Sequence, residues 1–381
     1  DALPAWTVAT LSIAGGLFVV WMGLSDPRAH PAHREEETPM NAPVNKNEKP
    51  VVGLMLGDVT GIGAEIATKM LAHENVQALA RTVLIGDARH LALGCREAGV
   101  ELSTHTVSSI DAIDWSQHGF PLIDLGNLDP AKFPRAELSA EAGRVTGETL
   151  KFMTDLALAG KLDAVCFAPL SKAGLHRGGW KYHDEHQMFA DWTQHQGYYS
   201  EMNVIPEFST FRVTSHVSLR KAVDLVTPQR IEDAIHLANN TMRATGVAKP
   251  HLAVAALNPH GGENGLFGDE EITIIRPTVD KVRGQGLDVE GPLPSDTIFL
   301  RARAGHFDAV VIMYHDQGQI ATKLLGFQKG VTVTSGLKTV YTTPAHGTAF
   351  DIVGKGKADA GAMTAAFHMA VKLSAAARAR A

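Results

Sequence analysis

Three histidines directly follow short apolar runs that are typical of buried strands. His216 follows FRVTS, His260 follows LAVAALNP and His315 follows DAVVIMY. In an open parallel sheet, ligands bind outside the carboxyl ends of the strands, so these imidazoles are expected at such an edge. Three neutral imidazoles suit a divalent transition metal and leave positions open for a substrate. A single histidine of this kind would more simply be a hydrogen-bonded loop residue, but three in the same placement favour a metal site.

Other polar groups accompany the histidines. Asp316 directly follows His315 and could supply an oxygen ligand or orient the imidazole. Lys323 is polar within an apolar stretch and could pair with an anionic substrate, although an exposed helical lysine has the same pattern. His183 and Asp184 belong to YHDEH, a run dense in hydrogen-bond donors and acceptors that suits either a binding loop or a solvated loop.

Two glycine-rich segments could bring the backbone close to a ligand. GDVTGIG, at 57–63, lacks the spacing of a dinucleotide fingerprint and the GK[ST] ending of a P-loop, so a tight turn explains it equally well. HGTAFDIVGKG, at 346–356, is more specific. Its glycines allow close approach to a flat or charged ligand, and Asp351 could accept hydrogen bonds from hydroxyl groups.

An alternation of apolar runs and helical patterns carries these segments. The patterns predict strands at 51–56, 82–85, 164–168, 211–214, 252–257 and 309–314, and helices at 64–73, 88–98, 139–158 and 228–245. LAVAAL and AVVIMY are apolar throughout, as in a sheet buried on both faces. The sequence therefore predicts an α/β protein with mostly parallel sheets in two subdomains around a cleft.

Composition narrows the class of protein. The 381-residue chain is 45% hydrophobic and 20% charged, which is typical of a globular protein. Its net charge of −6 and the lack of a long basic run disfavour a nucleic-acid-binding protein. The 2 cysteines cannot form a disulfide framework, which indicates a reducing, cytoplasmic location. The 18 histidines favour metal or proton chemistry.

The first part of the chain differs from the rest. Residues 2–24 are uncharged, apolar and long enough to cross a bilayer, but no basic region precedes them, so they are a poor signal peptide. A polar linker follows, and Met40 begins a polar lead-in to the first predicted strand. We therefore expect 1–39 to be upstream sequence joined to an enzyme at 40–381, and a genuine membrane anchor is the alternative.

Five motifs, in order, make the chain resemble one enzyme family. They are GDVTGIG, NPHGGENGLFGDEE, GPLPSDTIF, MYHDQGQIATK and HGTAFDIVGKGKAD. The last resembles the adenine-side nucleotide loop of the isocitrate and isopropylmalate dehydrogenase group. The whole set, over about 51–373, resembles the 4-hydroxythreonine-4-phosphate dehydrogenase family of pyridoxal phosphate biosynthesis. The chain is identified as a member of that family, which implies an isocitrate dehydrogenase-like fold of two interleaved subdomains.

The resemblance and the placement of the residues together predict a site. Its members are the metal ligands His216, His260 and His315; the substrate-binding residues His183, Asp184, Lys323, Thr332 and Tyr341; the catalytic residues Asp296 and Asp316; and the cofactor-binding residues His346, Gly347, Asp351 and Gly354. The family also implies a homodimer with its active site at the subunit interface.

The implied reaction is oxidation of the secondary alcohol of a β-hydroxy acid. Hydride passes to NAD or NADP, and the resulting keto acid loses carbon dioxide. A bound cation would stabilise the negative charge that develops on oxygen. Three histidines suit zinc, with magnesium, manganese and cobalt as alternatives. The choice between NAD and NADP stays open, because Asp351 would disfavour a 2′-phosphate only if it faces the ribose.

Three positions depart from the family pattern around the substrate. The threonine that follows the substrate-binding histidine is Asp184 here, which adds negative charge near the expected phosphate. The family's asparagine and arginine downstream of Lys323 are Thr332 and Tyr341. Loss of a guanidinium removes a bidentate phosphate partner. Lys338 could supply a replacement cation.

Two substrate classes therefore stay open. The closely matched NPHGGE and YHDE segments favour a phosphorylated β-hydroxy acid such as 4-phosphooxy-threonine or phosphothreonate. Thr332, Tyr341 and the KLL run favour a non-phosphorylated substrate such as an aromatic dicarboxylate cis-dihydrodiol, because the chain also resembles the terephthalate dihydrodiol dehydrogenases. A membrane-tethered scaffold with a dead site would need a disabled metal triad, and all three histidines are present.

Overall fold

The computed structural model of the chain describes residues 10–13, 16–19, 48–326 and 329–380. The chain divides into two compact units, Asp1–Pro43 and Val44–Ala381. All the candidate site residues lie in the second unit. The extent of the enzyme and its division into two subdomains stay predictions.

The apolar segment at 2–24 belongs to the first unit and is described only in part. Within it, β1 (Thr10–Ile13) pairs antiparallel with β2 (Gly16–Val19). The rest of this segment and the linker at 25–39 lie outside the described residues. Of the helices in the described ranges, none is long and apolar enough to cross a membrane.

The second unit is built on a 12-stranded sheet. Its strands are β3 (Val51–Met55), β4 (Arg81–Gly86), β5 (Thr104–Thr106), β6 (Phe120–Asp124), β7 (Ala164–Phe167), β8 (Ser200–Val204), β9 (Ser209–Arg212), β10 (Leu252–Ala255), β11 (Val289–Leu293), β12 (Ala309–Ile312), β13 (Val331–Ser335) and β14 (Val340–Pro344). Their order across the sheet is β11-β10-β12-β9-β8-β13-β14-β7-β3-β4-β6-β5.

Helices connect the strands. They are α1 (Gly63–His73), α2 (Val76–Leu79), α3 (Ala88–Ala98), α4 (Ala140–Leu158), α5 (Lys172–Arg177), α6 (Glu185–Trp192), α7 (Leu219–Asp224), α8 (Pro228–Ala244), α9 (Arg276–Gly284), α10 (Ile298–Arg303), α11 (His315–Gly326) and α12 (Gly361–Arg380). The helix predicted at 88–98 is α3 without change. Ser139, predicted as a helical residue, instead caps α4, because its hydroxyl accepts the Ala142 N–H at 3.1 Å.

Two groups of parallel strands make up the sheet, and they run in opposite directions. β9, β12, β10 and β11 are parallel to one another, as are β14, β7, β3, β4, β6 and β5. Between the groups, β8 pairs antiparallel with β9 and β13, and β13 pairs antiparallel with β14. The predicted α/β class with a mostly parallel sheet is therefore confirmed, whereas the antiparallel centre was not predicted.

Apolar side chains pack on both faces of the sheet beneath the candidate site. Every residue of β10 and β12 is buried, as their uniformly apolar sequences predict. Leu252 and Val254 pack in a cluster with α8, whereas Ala253 and Ala255 pack in another with α10. Because alternate residues are held on opposite faces, the strand ends that precede His260 and His315 are fixed in register.

His90 is a polar residue that is buried in another part of the second unit. It lies on α3, is only 3% exposed, and its Nε2 has no hydrogen-bond partner among the described residues. Burial, together with the positive charge of Arg135, lowers the pKa of His90 to about 3. Between about pH 6.5 and pH 3, the imidazole is therefore protonated in the unfolded chain and neutral in the folded chain.

Replacing His90 should change how stability depends on pH. The folded pKa lies below the unfolded one, so this imidazole lowers the free energy of unfolding as pH falls from about 6.5 toward 3. Between pH 6 and 4 the slope for His90→Leu should be smaller by about 1.4 kcal/mol per pH unit, measured by urea unfolding. His118→Leu, at an exposed position, is the control and should keep the wild-type slope. An unchanged slope in His90→Leu would contradict the buried neutral imidazole.

Candidate active site

Two of the predicted metal ligands lie side by side at one end of the sheet. β9 and β12 are neighbouring parallel strands, so the residues that follow them emerge together. The ring centroids of His216 and His315 are 5.5 Å apart, with the planes inclined by 46°. Thr214 joins the two segments, because its N–H and hydroxyl donate to the Met313 carbonyl at 3.2 and 2.7 Å. The structure thus brings together two imidazoles that could both coordinate one metal ion.

A carboxylate holds Nδ1 of each imidazole. Asp184 Oδ2 accepts a hydrogen bond from His216 Nδ1, and Asp316 Oδ1 lies 2.6 Å from His315 Nδ1. An ionised carboxylate only accepts, so the Nδ1 atoms donate these hydrogen bonds, and in a neutral imidazole the lone pair is then on Nε2. Partial burial and the nearby charge of Arg212 lower the pKa of His315. In its neutral form, each histidine would therefore offer the Nε2 lone pair to a metal ion.

The loop before α6 delivers one of these carboxylates. Asp184 is the N-cap of α6, where its Oδ1 accepts the Gln187 N–H at 2.8 Å. Burial opposes ionisation of Asp184, but the hydrogen bond from His216 and the charge of His186 hold its pKa below the usual range. His183 is exposed, and its backbone N–H donates to the Gln187 side chain at 3.1 Å.

The third predicted ligand, His260, does not join the other two. It lies in the short helical segment Pro259–Gly265, where five successive residues from His260 to Asn264 have φ between 41° and 79°. The buried Glu271 carboxylate supports this segment by accepting the N–H groups of Leu257 and Asn258 at 2.7 and 2.8 Å. Among the described residues, no group of three or more His, Cys, Asp or Glu side chains could hold a metal ion.

The remaining acidic and basic candidates at this end are exposed. Asp296 follows β11 in a turn, and Lys323 lies on α11, the helix that begins at His315. Gln317, which was not predicted, ties the strand ends together. Its amide nitrogen donates to the Ala256 carbonyl at 2.7 Å, and its Oε1 accepts the Met313 N–H at 2.7 Å. These bonds fix the backbone immediately before His315.

A buried ion pair lies behind the histidines. Arg212 is 1% exposed and forms two hydrogen bonds with Glu201, at 2.8 and 3.0 Å. Burial would raise the pKa of Glu201, but Arg212 and His186 hold it well below its usual range. His186 Nδ1 is 2.6 Å from the Thr334 hydroxyl. Arg212 was not predicted, although a charged residue inside the apolar run FRVTS was a possible signal.

Thr332 and Tyr341, predicted to bind substrate, are buried in the protein. The Thr332 hydroxyl accepts a hydrogen bond from Asn203 Nδ2 at 3.0 Å. Tyr341 stacks on Phe189 with ring centroids 3.9 Å apart, and its hydroxyl donates to Thr154 at 3.1 Å. Burial raises the pKa of Tyr341 to about 12. Tyr341 is therefore a core residue in this structure.

The two glycine-rich segments pack against each other. The Ile62 N–H donates to the Thr348 carbonyl at 3.1 Å, and a Cβ added at Gly61 would lie 2.7 Å from Thr348 Cβ. Only glycine fits at position 61 without a shift of this contact. The candidate cofactor residues lie on both sides of Thr348 in the second segment, and they are His346, Gly347, Asp351 and Gly354. Lys355 Nζ donates to the Asp351 carbonyl at 2.6 Å, so it closes the loop on itself.

A cavity of about 340 Å³ opens beside the histidine pair. His183, Asp184, His186, Arg212 and His216 contribute to its lining. It is large enough for a small hydroxy acid and has several hydrogen-bonding groups, which is typical of a site for a polar ligand.

Comparison with known proteins identifies the family. Residues 78–370 match the family model described as "Pyridoxal phosphate biosynthetic protein PdxA". The chain belongs to this family. A D-threonate 4-phosphate dehydrogenase of Cupriavidus necator is 41% identical over 327 residues, covering 85% of this chain and 97% of the relative. The predicted enzyme class, an oxidoreductase acting on a CH–OH group, is confirmed by these relationships.

Solved structures of relatives have the same fold. A 4-hydroxythreonine-4-phosphate dehydrogenase from Burkholderia phymatum is 41% identical, with a TM-score of 0.71 over 86% of this chain and 99% of the other. A terephthalate 1,2-cis-dihydrodiol dehydrogenase from Burkholderia xenovorans is 27% identical, with a TM-score of 0.59 over 85% of this chain and 98% of the other. The family fold thus occurs in dehydrogenases with phosphorylated and with non-phosphorylated substrates in their names.

Replacing Tyr341 should separate a core role from a substrate role. Tyr341→Phe should lower the free energy of unfolding by about 1 kcal/mol, because one hydrogen bond is lost, and should leave KM unchanged. Tyr341→Ala should lower it by about 3–5 kcal/mol, because a buried ring is removed. Urea unfolding and steady-state kinetics measure both. A several-fold rise in KM for Tyr341→Phe at unchanged stability would show that the hydroxyl contacts substrate.

Proposed function

We propose that the protein oxidises the secondary alcohol of a phosphorylated β-hydroxy acid in a metal-dependent reaction. Hydride passes to NAD or NADP, and the keto acid then loses carbon dioxide. The observation that carries this proposal is the pairing of His216 with His315, whose Nδ1 atoms are both held by carboxylates. The names of the family relatives support a dehydrogenase of a phosphorylated hydroxy acid.

The residues present fit two thirds of the predicted metal site. His216 and His315 would hold a divalent ion through Nε2, and zinc is the metal that imidazole ligands suit, with magnesium, manganese and cobalt as alternatives. When bound, such an ion supplies polarisation of the alcohol oxygen. Asp316 accepts a hydrogen bond from His315 Nδ1. Asp296, which lies in the turn after β11, would accept a proton in the reaction.

A second copy of the chain would supply the missing ligand. His260 is exposed on its own segment, away from the histidine pair, so we propose that His260 of the partner subunit completes the site. Exposed apolar side chains around the pair support a homodimer. Leu219 is 62% exposed, and Ile320 and Leu324 on α11 are 61% and 81% exposed. Contact with a second subunit would remove these side chains from water.

Separate groups of residues would hold the cofactor and the substrate. His346, Gly347, Asp351 and Gly354 would hold the adenine end of NAD or NADP, because their segment packs on the glycine-rich turn before α1. His183 and Lys323 would bind the anionic end of the substrate. A cytoplasmic location stays part of this proposal.

A non-phosphorylated substrate is the second candidate, because Tyr341 stands where the family pattern has arginine. Tyr341 is in the core, and the Arg212 guanidinium is neutralised by Glu201. A substrate without phosphate, such as an aromatic dicarboxylate cis-dihydrodiol, would need no such cation. The fold shared with a dihydrodiol dehydrogenase supports this candidate.

Turnover assays distinguish the two substrate classes. The metal-supplemented protein should reduce NAD or NADP with 4-phosphooxy-L-threonine or D-threonate 4-phosphate, with kcat/KM at least about tenfold above that for a cis-dihydrodiol. Lys323→Met should raise KM for the phosphorylated acid about tenfold, because a charged hydrogen-bond donor is lost. Lys249→Met, at an exposed position outside the lining of the cavity, is the matched control for loss of a lysine and should leave this KM unchanged.

Two outcomes would contradict the proposal. Turnover with the dihydrodiol alone would replace it by the second candidate. A folded, metal-loaded protein that turns over neither substrate class would overturn both.

A further inference from the structure

Asp184 stands where the family pattern has threonine, and its carboxylate has two fixed partners. Oδ1 accepts a hydrogen bond from the Gln187 N–H at 2.8 Å, and Oδ2 accepts a hydrogen bond from His216 Nδ1. The side chain of Asp184 is 12% exposed and that of His216 is 28% exposed. Both carboxylate oxygens thus have hydrogen-bond partners within the protein, so this side chain has a structural role besides adding negative charge to the cavity.

We infer that Asp184 is a positioning residue that fixes the orientation and tautomer of His216, so that Nε2 faces the metal site. This inference rests on the proposed function and adds a residue that the family pattern does not supply. A threonine hydroxyl both donates and accepts, so it can pair with either tautomer, whereas a carboxylate can only accept. Asp184 therefore selects the tautomer with the proton on Nδ1 and the lone pair on Nε2.

The elements around Asp184 hold it rigidly enough for this role. It caps α6, and the next two residues of that helix contact α5 and the sheet. Glu185 lies 3.1 Å from Lys172 Nζ, and His186 Nδ1 lies 2.6 Å from the Thr334 hydroxyl. The position of the carboxylate is thus set by the contacts of Glu185 and His186 as well as by the loop before α6.

The other contacts to histidine Nδ1 atoms in this site are weaker constraints. The Ser215 hydroxyl is 3.5 Å from His216 Nδ1, at the outer limit of a hydrogen bond. Asp316, which contacts His315, is the next residue in the chain, and its side chain is 74% exposed. Asp184 instead joins two segments that are distant in sequence and is largely shielded from water, so its removal should have the greater effect on ligand geometry.

Cobalt binding to Asp184→Asn tests the inference. Asparagine preserves the helix cap. With its oxygen on the Gln187 N–H, it turns an N–H group toward His216 and favours the tautomer whose Nε2 is protonated. We expect the Kd for Co²⁺, measured by titration of the metal-free protein with a competing chelator, to rise about 10–100-fold. The visible spectrum of any bound Co²⁺ should also change, because its coordination is altered.

Two further variants complete the test. Asp191→Asn makes the same charge change on α6, where the carboxylate contacts Tyr182 instead, and should keep the wild-type Kd and Co²⁺ spectrum. Asp184→Thr restores the family residue and should bind Co²⁺ more weakly than wild type but more tightly than Asp184→Asn. The metal-free proteins should unfold at similar temperatures, which separates a positioning effect from a loss of structure.

The outcomes separate this inference from the proposal beneath it. Wild-type protein that binds Co²⁺, with an unchanged Kd and spectrum in Asp184→Asn, would overturn the role of Asp184 and leave the metal-dependent function standing. Wild-type protein that binds no Co²⁺ would overturn the proposed metal site and this inference together.

Discussion

The buried pairing of Arg212 with Glu201 is the interaction on which the candidate site depends. A charge buried without a partner costs several kcal/mol, so β8 and β9 must keep the register that joins these side chains. The same register places His186 against Glu201 and brings His216 out beside His315. The antiparallel centre of the sheet thus links the candidate cavity to the two imidazoles.

The parallel parts of the fold were predictable from the sequence, but its centre was not. β10 and β12 are apolar throughout, and the histidines that follow such strands mark the edge where ligands bind. In β8 (SEMNV) and β13 (VTVTS), polar residues interrupt the apolar pattern, and their burial depends on partners that are distant in the chain. Asn203 and Thr332 are one such pair. Sequence patterns could not show that these polar side chains satisfy each other.

The candidate site shows the same division. The pairing of His216 with His315 follows from the position of each after one of two neighbouring strands. The separation of His260 depends on the left-handed backbone of its segment, which the sequence analysis did not predict. The three residues that depart from the family pattern also have different structural roles. Asp184 supports a histidine, Thr332 pairs with Asn203, and Tyr341 fills the core. Three residues predicted to bind substrate therefore differ from the family pattern, while the histidines and the glycine-rich segments are retained.

The central claim is that the active site combines His315 of one subunit with His260 of the partner subunit. Its most direct test is to mix His260→Ala and His315→Ala, each inactive alone, under conditions that exchange subunits. Random exchange makes half of the dimers mixed, each with one intact site, so activity should recover to about a quarter of wild type. Activity that stays at the level of the separate variants would contradict a shared site, because both ligands would then belong to the same subunit.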